Sequence, residues 1–165
     1  MNEQINKELF SSYLYLSMSA YCESENYPGC AKWLEVQSNE EREHAMKIYR
    51  YIHERGESVE LEAIDKPKTE FKNLSQLFAM VFDHEQKVSA SITALYETAM
   101  KANDYPTQIM LQWFITEQVE EEKNASRILG QLKLFGEVPQ AVYMLDQELK
   151  ARVFAMPADI PITPV

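Results

Sequence analysis

Three features of the 165-residue sequence predict an all-α protein: a four-helix bundle of two antiparallel hairpins joined by one long crossover, plus a short fifth C-terminal helix. Long stretches with apolar residues three and four apart run between widely spaced glycines and prolines. Nothing in the chain alternates with the period of a strand. One polar connection is far longer than the others.

The first helix is predicted from Met1 to about Asn26, stopped by Tyr27-Pro28-Gly29. The second runs from about Cys30 to Arg55, with Gly56 in the C-terminal stop position. Residues 57 to about 73 are polar, contain Pro67 and read as a connection. The third helix starts near Asn73-Leu74-Ser75 and ends near Asn103. The fourth opens at Asp104-Tyr105-Pro106, where proline suits the first turn, and ends by Gly136. A shorter amphipathic helix, about Gln140 to Val153, follows Pro139. Residues 1–153 thus read as one domain and 154–165 as a Pro-rich tail. Helices of this length span roughly 40 Å at 1.5 Å per residue. Short breaks make the first and third connections tight hairpins. The long connection reaches about 55 Å when extended, enough to run the length of the bundle and leave helices two and three parallel.

Composition narrows the function. The 16 Lys and Arg against 26 Asp and Glu give a net charge of −10, which disfavours nucleic acid and anionic membrane as partners. No apolar run approaches the roughly 20 residues of a membrane span. The N-terminus lacks the basic and apolar regions of a signal peptide. Cys22 and Cys30 are too few for a disulfide framework, so a cytoplasmic setting is expected.

The acids interrupt the apolar series at informative places. On the third helix the series is Leu74, Phe78, Val81, Glu85, Val88, Ile92, Leu95, Ala99, apolar except at Glu85. On the fourth it is Thr107, Leu111, Phe114, Gln118, Glu121, Ala125, Ile128, Leu132, Phe135, with two adjacent polar slots midway. The second reads Cys30, Leu34, Gln37, Glu41, His44, Ile48, Tyr51. In the first, Glu8, Ser12 and Tyr15 share a stripe beside Ile5, Leu9, Leu16 and Ala20. A buried carboxylate costs several kcal/mol unless paired or coordinated. Four helices carrying the same exception at an intermediate level point to one shared site.

The residue types identify its chemistry. Glu41 and His44 form a Glu-x-x-His pair on one helix face. Carboxylates with one imidazole and no thiolate suit hard or borderline divalent ions, chiefly iron or manganese. Carboxylates bridge cations, so several around one histidine imply more than one metal. Glu40, Glu117, Glu120 and Glu121 add an acidic face that could supply a third, all-oxygen site. Glu43 and Glu122 read as solvated surface, and Trp113 and Met110 as packing. Tyr15 reads as a core tyrosine with a satisfied hydroxyl ahead of a redox role, and His53 and His84 as surface histidines. Both cysteines read as inert helical thiols.

Several of these motifs together resemble the prokaryotic non-haem ferritins. They are Glu8-Leu9-Phe10-Ser11-Ser12-Tyr13-Leu14-Tyr15, Glu40-Glu41-x-x-His44, Glu85-Gln86, Leu111-Gln112-Trp113-Phe114, and Glu117-Gln118-Val119-Glu120-Glu121-Glu122-Lys123. The resemblance covers roughly residues 1 to 153 and implies the ferritin-like bundle and an iron-storing ferroxidase. By position it makes Glu8 and His44 terminal ligands of a first iron, with Glu41 as the bridge. Glu85 and Glu121 would hold a second iron with Gln118 close by, and Glu40, Glu117, Glu120 and Glu121 a third. Tyr15 matches a tyrosine bonded to a ligand of the centre.

The implied reaction is oxidation of Fe²⁺ by O₂, with ferric oxide-hydroxide deposited inside a shell of twenty-four identical subunits. Val142, Leu145 and Leu149 of the fifth helix would line its fourfold axes. Haem is not expected: bacterioferritins carry a second Glu-x-x-His where this chain has Gln118 and Glu121, and a haem-ligand methionine where it has Arg42. The rival readings are a non-storing diiron oxidase or peroxidase and a metal-free bundle whose polar slots only set helix register.

Overall fold

The computed structural model describes residues 1–136 and 138–154. The Pro-rich tail expected over 154–165 therefore lies outside the described residues except for Phe154. The helices are α1 (Asn2–Ser24), α2 (Pro28–Glu54), α3 (Leu74–Lys101), α4 (Tyr105–Phe135) and α5 (Pro139–Leu149), with no strand among the described residues.

Both tight hairpins turn on an asparagine. Asn26 (φ 63°) and Asn103 (φ 55°) occupy the left-handed region, which asparagine tolerates better than most side chains. α2 begins two residues earlier than expected, because Pro28 lacks only an N–H that the first turn does not use. Gly56 (φ 75°) follows the end of α2. Asn73 caps α3 by accepting from Gln76 N at 3.0 Å, and Asp104 caps α4 by accepting from Thr107 N at 3.3 Å. α5 stops at Leu149, short of the expected Val153: Ala151 N and Arg152 N fold back onto the carbonyls of Glu148 and Leu149.

Cross-helix bonds fix the topology. Ser12 reaches Ser38 and Ser19 reaches Ala31, so α1 and α2 run antiparallel. Gln108 donates to Ala99 O across the α3–α4 hairpin. Arg55 at the end of α2 meets Asp104 at the start of α4, while the start of α2 meets α5, beyond the end of α4. α2 is thus antiparallel to α4 and parallel to α3, with residues 57–73 running the crossover.

α5 docks on the start of α2. The buried Asp146 carboxylate accepts from Gly29 N at 2.7 Å and Cys30 N at 2.9 Å, satisfying two donors that a helix N-terminus leaves open. The approach is close: a Cβ on Gly29 would stand 1.7 Å from Asp146 O. Val142, Leu145 and Leu149 are buried in the chain's own core, which corrects the expectation that they line a symmetry axis. The face of α5 left exposed carries Tyr143 and Met144.

The apolar interior falls into two clusters. One gathers Leu14, Met18, Leu34, Phe78, Ile128 and the α5 residues. The other gathers Ile5, Ile48, Ile52, Val88, Ile92, Leu111 and Phe114. Most of the periodic series on α2, α3 and α4 is buried as expected; Phe135 is exposed and Leu95 half-buried. In α1 the inward stripe is Ile5, Glu8, Ser11, Tyr15, Met18 and Cys22, while Leu16 and Ala20 face outward. A strict 3-4 count drifts off the 3.6-residue helix there.

Candidate metal centre

Between the two apolar clusters lies a layer of buried polar side chains. Glu8 from α1, Glu41 and His44 from α2, Glu85 from α3 and Gln118 and Glu121 from α4 are each at most 4% exposed. Each occupies a slot where the helical period calls for an apolar residue, and the flanking turns hold it inside.

Amides brace the carboxylates. Gln4, one turn before Glu8, donates to its Oε1 at 2.7 Å. Gln37 stands in the same relation to Glu41, donating to its Oε1 at 3.3 Å and to Glu121 Oε2 on the facing helix at 2.7 Å. Glu85 is held from both sides: Tyr15 OH donates to Oε1, and Gln118 Nε2 donates to Oε2 at 3.1 Å. Four buried polar atoms of the layer have no hydrogen-bond partner at all: Glu8 Oε2, Glu41 Oε2 and both ring nitrogens of His44. His44 Nδ1 stands 3.4 Å from Glu41 Oε2. Edge-to-face contact with Trp113 (5.4 Å) and Phe114 (5.9 Å) holds the imidazole in place.

Carboxylates in this layer resist ionisation. Burial, then the charge of Glu41, pushes Glu8 up to about 8. Burial lifts Glu85 and Glu121 to about 7, and Glu41 well above the usual carboxylate range, with the neighbouring carboxylates adding to the lift on Glu41 and Glu121. A like-charged, desolvated set with unpaired lone pairs is costly unless a cation enters. Among the described residues two groupings have cation-binding reach, each with one ligand atom per residue and all within 4.8 Å of one another: Glu8, Glu41, His44 and His44, Glu117, Glu121. Oxygen and imidazole donors without thiolate fit hard or borderline divalent ions such as Fe²⁺.

The model of the ferritin-like domain family matches residues 1–135. The chain belongs to the ferritin family. The bacterial non-heme ferritin of Staphylococcus haemolyticus (strain JCSC1435) is 40% identical over 154 residues, 93% of each chain. That of Campylobacter jejuni subsp. jejuni serotype O:2 is 39% identical over 150 residues, 91% of this chain and 90% of that one. Among solved structures, an engineered closed form of the Archaeoglobus fulgidus ferritin superposes with a TM-score of 0.92 at 43% identity, covering 93% of this chain and 94% of that one. The open pore ferritin of the same hyperthermophilic archaeon gives 0.91 at 43%, covering 92% and 93%.

This ferritin chain brings Glu8, Glu41, His44, Glu85, Gln118 and Glu121 into one layer, with Tyr15 bonded to Glu85. Glu85 falls outside both cation groupings, and both its oxygens accept hydrogen bonds. The outer acids are less united. Glu117 is half-buried and raised by burial, Glu120 is exposed, and Glu40 is tied to Arg152. His84 corrects its assignment to the surface: it lies half-buried against Ser11 (2.7 Å) and the edge of Tyr15, and burial lowers it to about 4. One residue off the core series is close enough for burial. The cysteines are buried thiols, Cys22 pushed up to about 12. Gln4 lies outside the apolar series and Gln37 stands in the second-helix series without an assigned role; each precedes a core glutamate by one turn, a spacing visible in the sequence.

Proposed function

We propose that the protein is a ferroxidase and iron-storage subunit, oxidising Fe²⁺ with O₂ at a diiron centre and depositing ferric oxide-hydroxide inside a cage of twenty-four identical subunits. The observation that carries this reading is the set of four unpartnered buried atoms on Glu8, Glu41 and His44. Buried polar atoms are almost always satisfied, and here carboxylate oxygens of Glu8 and Glu41 and the His44 imidazole stand within mutual reach of one cation, which would satisfy them together.

In this reading iron is the substrate, and the chain's residues divide the work. Glu8 and His44 hold one iron, Glu41 bridges, and Glu85 and Glu121 take the second beside Gln118. Glu85 must first exchange one of its present hydrogen bonds for the metal. Raised carboxyls enter the reaction partly protonated at neutral pH, so Fe²⁺ displaces protons as it binds and leaves a site of anionic oxygens. Anionic oxygens favour Fe³⁺ over Fe²⁺, which drives the transfer of one electron from each iron to a shared O₂. The neutral amides of Gln37 and Gln118 orient carboxylates without adding charge. That keeps the site from becoming an all-carboxylate cage and suits a centre that must release its product. An acidic interior then concentrates cations for nucleation.

The test is to load the metal-free protein with tens of Fe²⁺ per chain in air and follow protein and iron by size-exclusion chromatography. Co-elution as a particle of several hundred kilodaltons is expected. A small oligomer that leaves iron in solution would remove storage and favour the non-storing oxidase.

A further inference from the structure

Beyond the acidic layer, one cation of the chain itself reaches toward it. Arg152 lies just after α5, where the backbone turns back on the last carbonyls of that helix. Its guanidinium stacks on the Trp33 ring, 4.3 Å from the centroid. One terminal nitrogen donates to Gln37 Oε1 at 2.7 Å, and the other pairs with Glu40. Gln37 is fully buried, and its amide can satisfy these neighbours in only one orientation. With Oε1 committed to Arg152, Nε2 must face Glu121 and Glu41, to which it donates at 2.7 and 3.3 Å. Those bonds occupy Glu121 Oε2 and Glu41 Oε1, leaving the other oxygen of each carboxylate for a metal.

We propose that Arg152 is a positioning residue for the metal centre: through Gln37 it sets which oxygens of Glu41 and Glu121 face the cation. The proposal rests on the metal-centre reading above and adds a control point 115 residues away from Gln37 in sequence. Without Arg152 the buried amide oxygen loses its donor, and Gln37 is held from the carboxylate side alone, so its Nε2 shifts relative to Glu41 and Glu121. Lysine cannot replace it, because a single ammonium lacks the planar fork that grips Gln37 and Glu40 together.

The experiment is anaerobic titration of the assembled, metal-free protein with Co²⁺, read by calorimetry and by the visible ligand-field bands of the bound ion. R152Q is expected to weaken Co²⁺ binding about tenfold or more, the range for lost outer supports of metal ligands, and to change the band shape. R152K, which keeps the charge, shows the same loss and serves where R152Q fails to assemble. In a Q37M background, R152Q adds no further loss. An unchanged affinity and spectrum in R152Q, or an equal loss with and without Gln37, overturns the positioning role. If the unsubstituted protein binds no Co²⁺ at the carboxylates, the metal-centre reading itself falls and takes this role with it.

Discussion

At Glu41 one carboxylate oxygen is braced by Gln37 and the other stands 3.4 Å from His44 Nδ1, within reach of a cation shared with Glu8. Glu41→Ala is therefore expected to slow the initial phase of Fe²⁺ oxidation by at least about tenfold, followed by stopped-flow absorbance with helix content unchanged. An unaltered initial phase would take Glu41 out of the centre. Tyr15 offers a subtler test. Burial raises Glu85 to about 7, and the bond from Tyr15 opposes that rise. Tyr15→Phe removes the opposing pull, so Glu85 ionises at higher pH and half-saturation with Zn²⁺ should move upward, by up to about one pH unit. The polar layer is legible in the sequence at this scale because one-dimensional periodicity is enough to expose a glutamate in an apolar slot. Arg152 is not legible: its partners sit on another helix, and no local pattern marks a side chain whose role depends on where the chain returns.

The element that depends most on a single joint is α5. Asp146→Ala would leave the Gly29 and Cys30 amides buried without an acceptor, a loss of about 1–3 kcal/mol. Gly29→Ala attacks the same joint sterically, because the new Cβ meets backbone atoms of Asp146 that cannot rotate away. Both should lower the melting temperature, by about 2–4 °C per kcal/mol for a chain of this size. Gly130→Ala provides the contrast. That glycine is exposed within α4 and a Cβ added there meets nothing within 4 Å, so alanine should stabilise by up to about 1 kcal/mol. Helix existence and order are readable from periodicity and punctuation. The end of α5 is not, since its amphipathic pattern continues past the point where the backbone turns to place Arg152.

Across the whole molecule, the metal-free protein should respond to pH through its buried acids. Glu8 at about 8 and Glu85 and Glu121 at about 7 all ionise at higher pH folded than unfolded. Their contribution is favourable at low pH and is lost as pH rises from about 4.3, where the unfolded carboxyls ionise, through those folded values. His84, lowered to about 4, works in the opposite sense below about 6.5, one group against several. Calorimetry should show the metal-free protein melting at lower temperature at about pH 8 than at about pH 6.5. A variant with Glu8, Glu41, Glu85 and Glu121 all changed to Gln should lose most of that slope. Added Zn²⁺ should restore the melting temperature most at the alkaline end, where the acids are charged. Of the 26 acids, Glu8, Glu41, Glu85 and Glu121 lie in the buried layer, which leaves 22 acids against 16 bases elsewhere in the chain.

The contact between Gly29 and Asp146 also gives a way to read other sequences. A helix that lies this close to a backbone leaves a one-letter imprint, because only a residue without a side chain admits the neighbour. In any related chain that carries a side chain at the position of Gly29, the fifth helix must sit farther out or at another angle. That single letter, compared with the placement of the fifth helix in each solved relative, would sort docking geometries before any coordinates are determined.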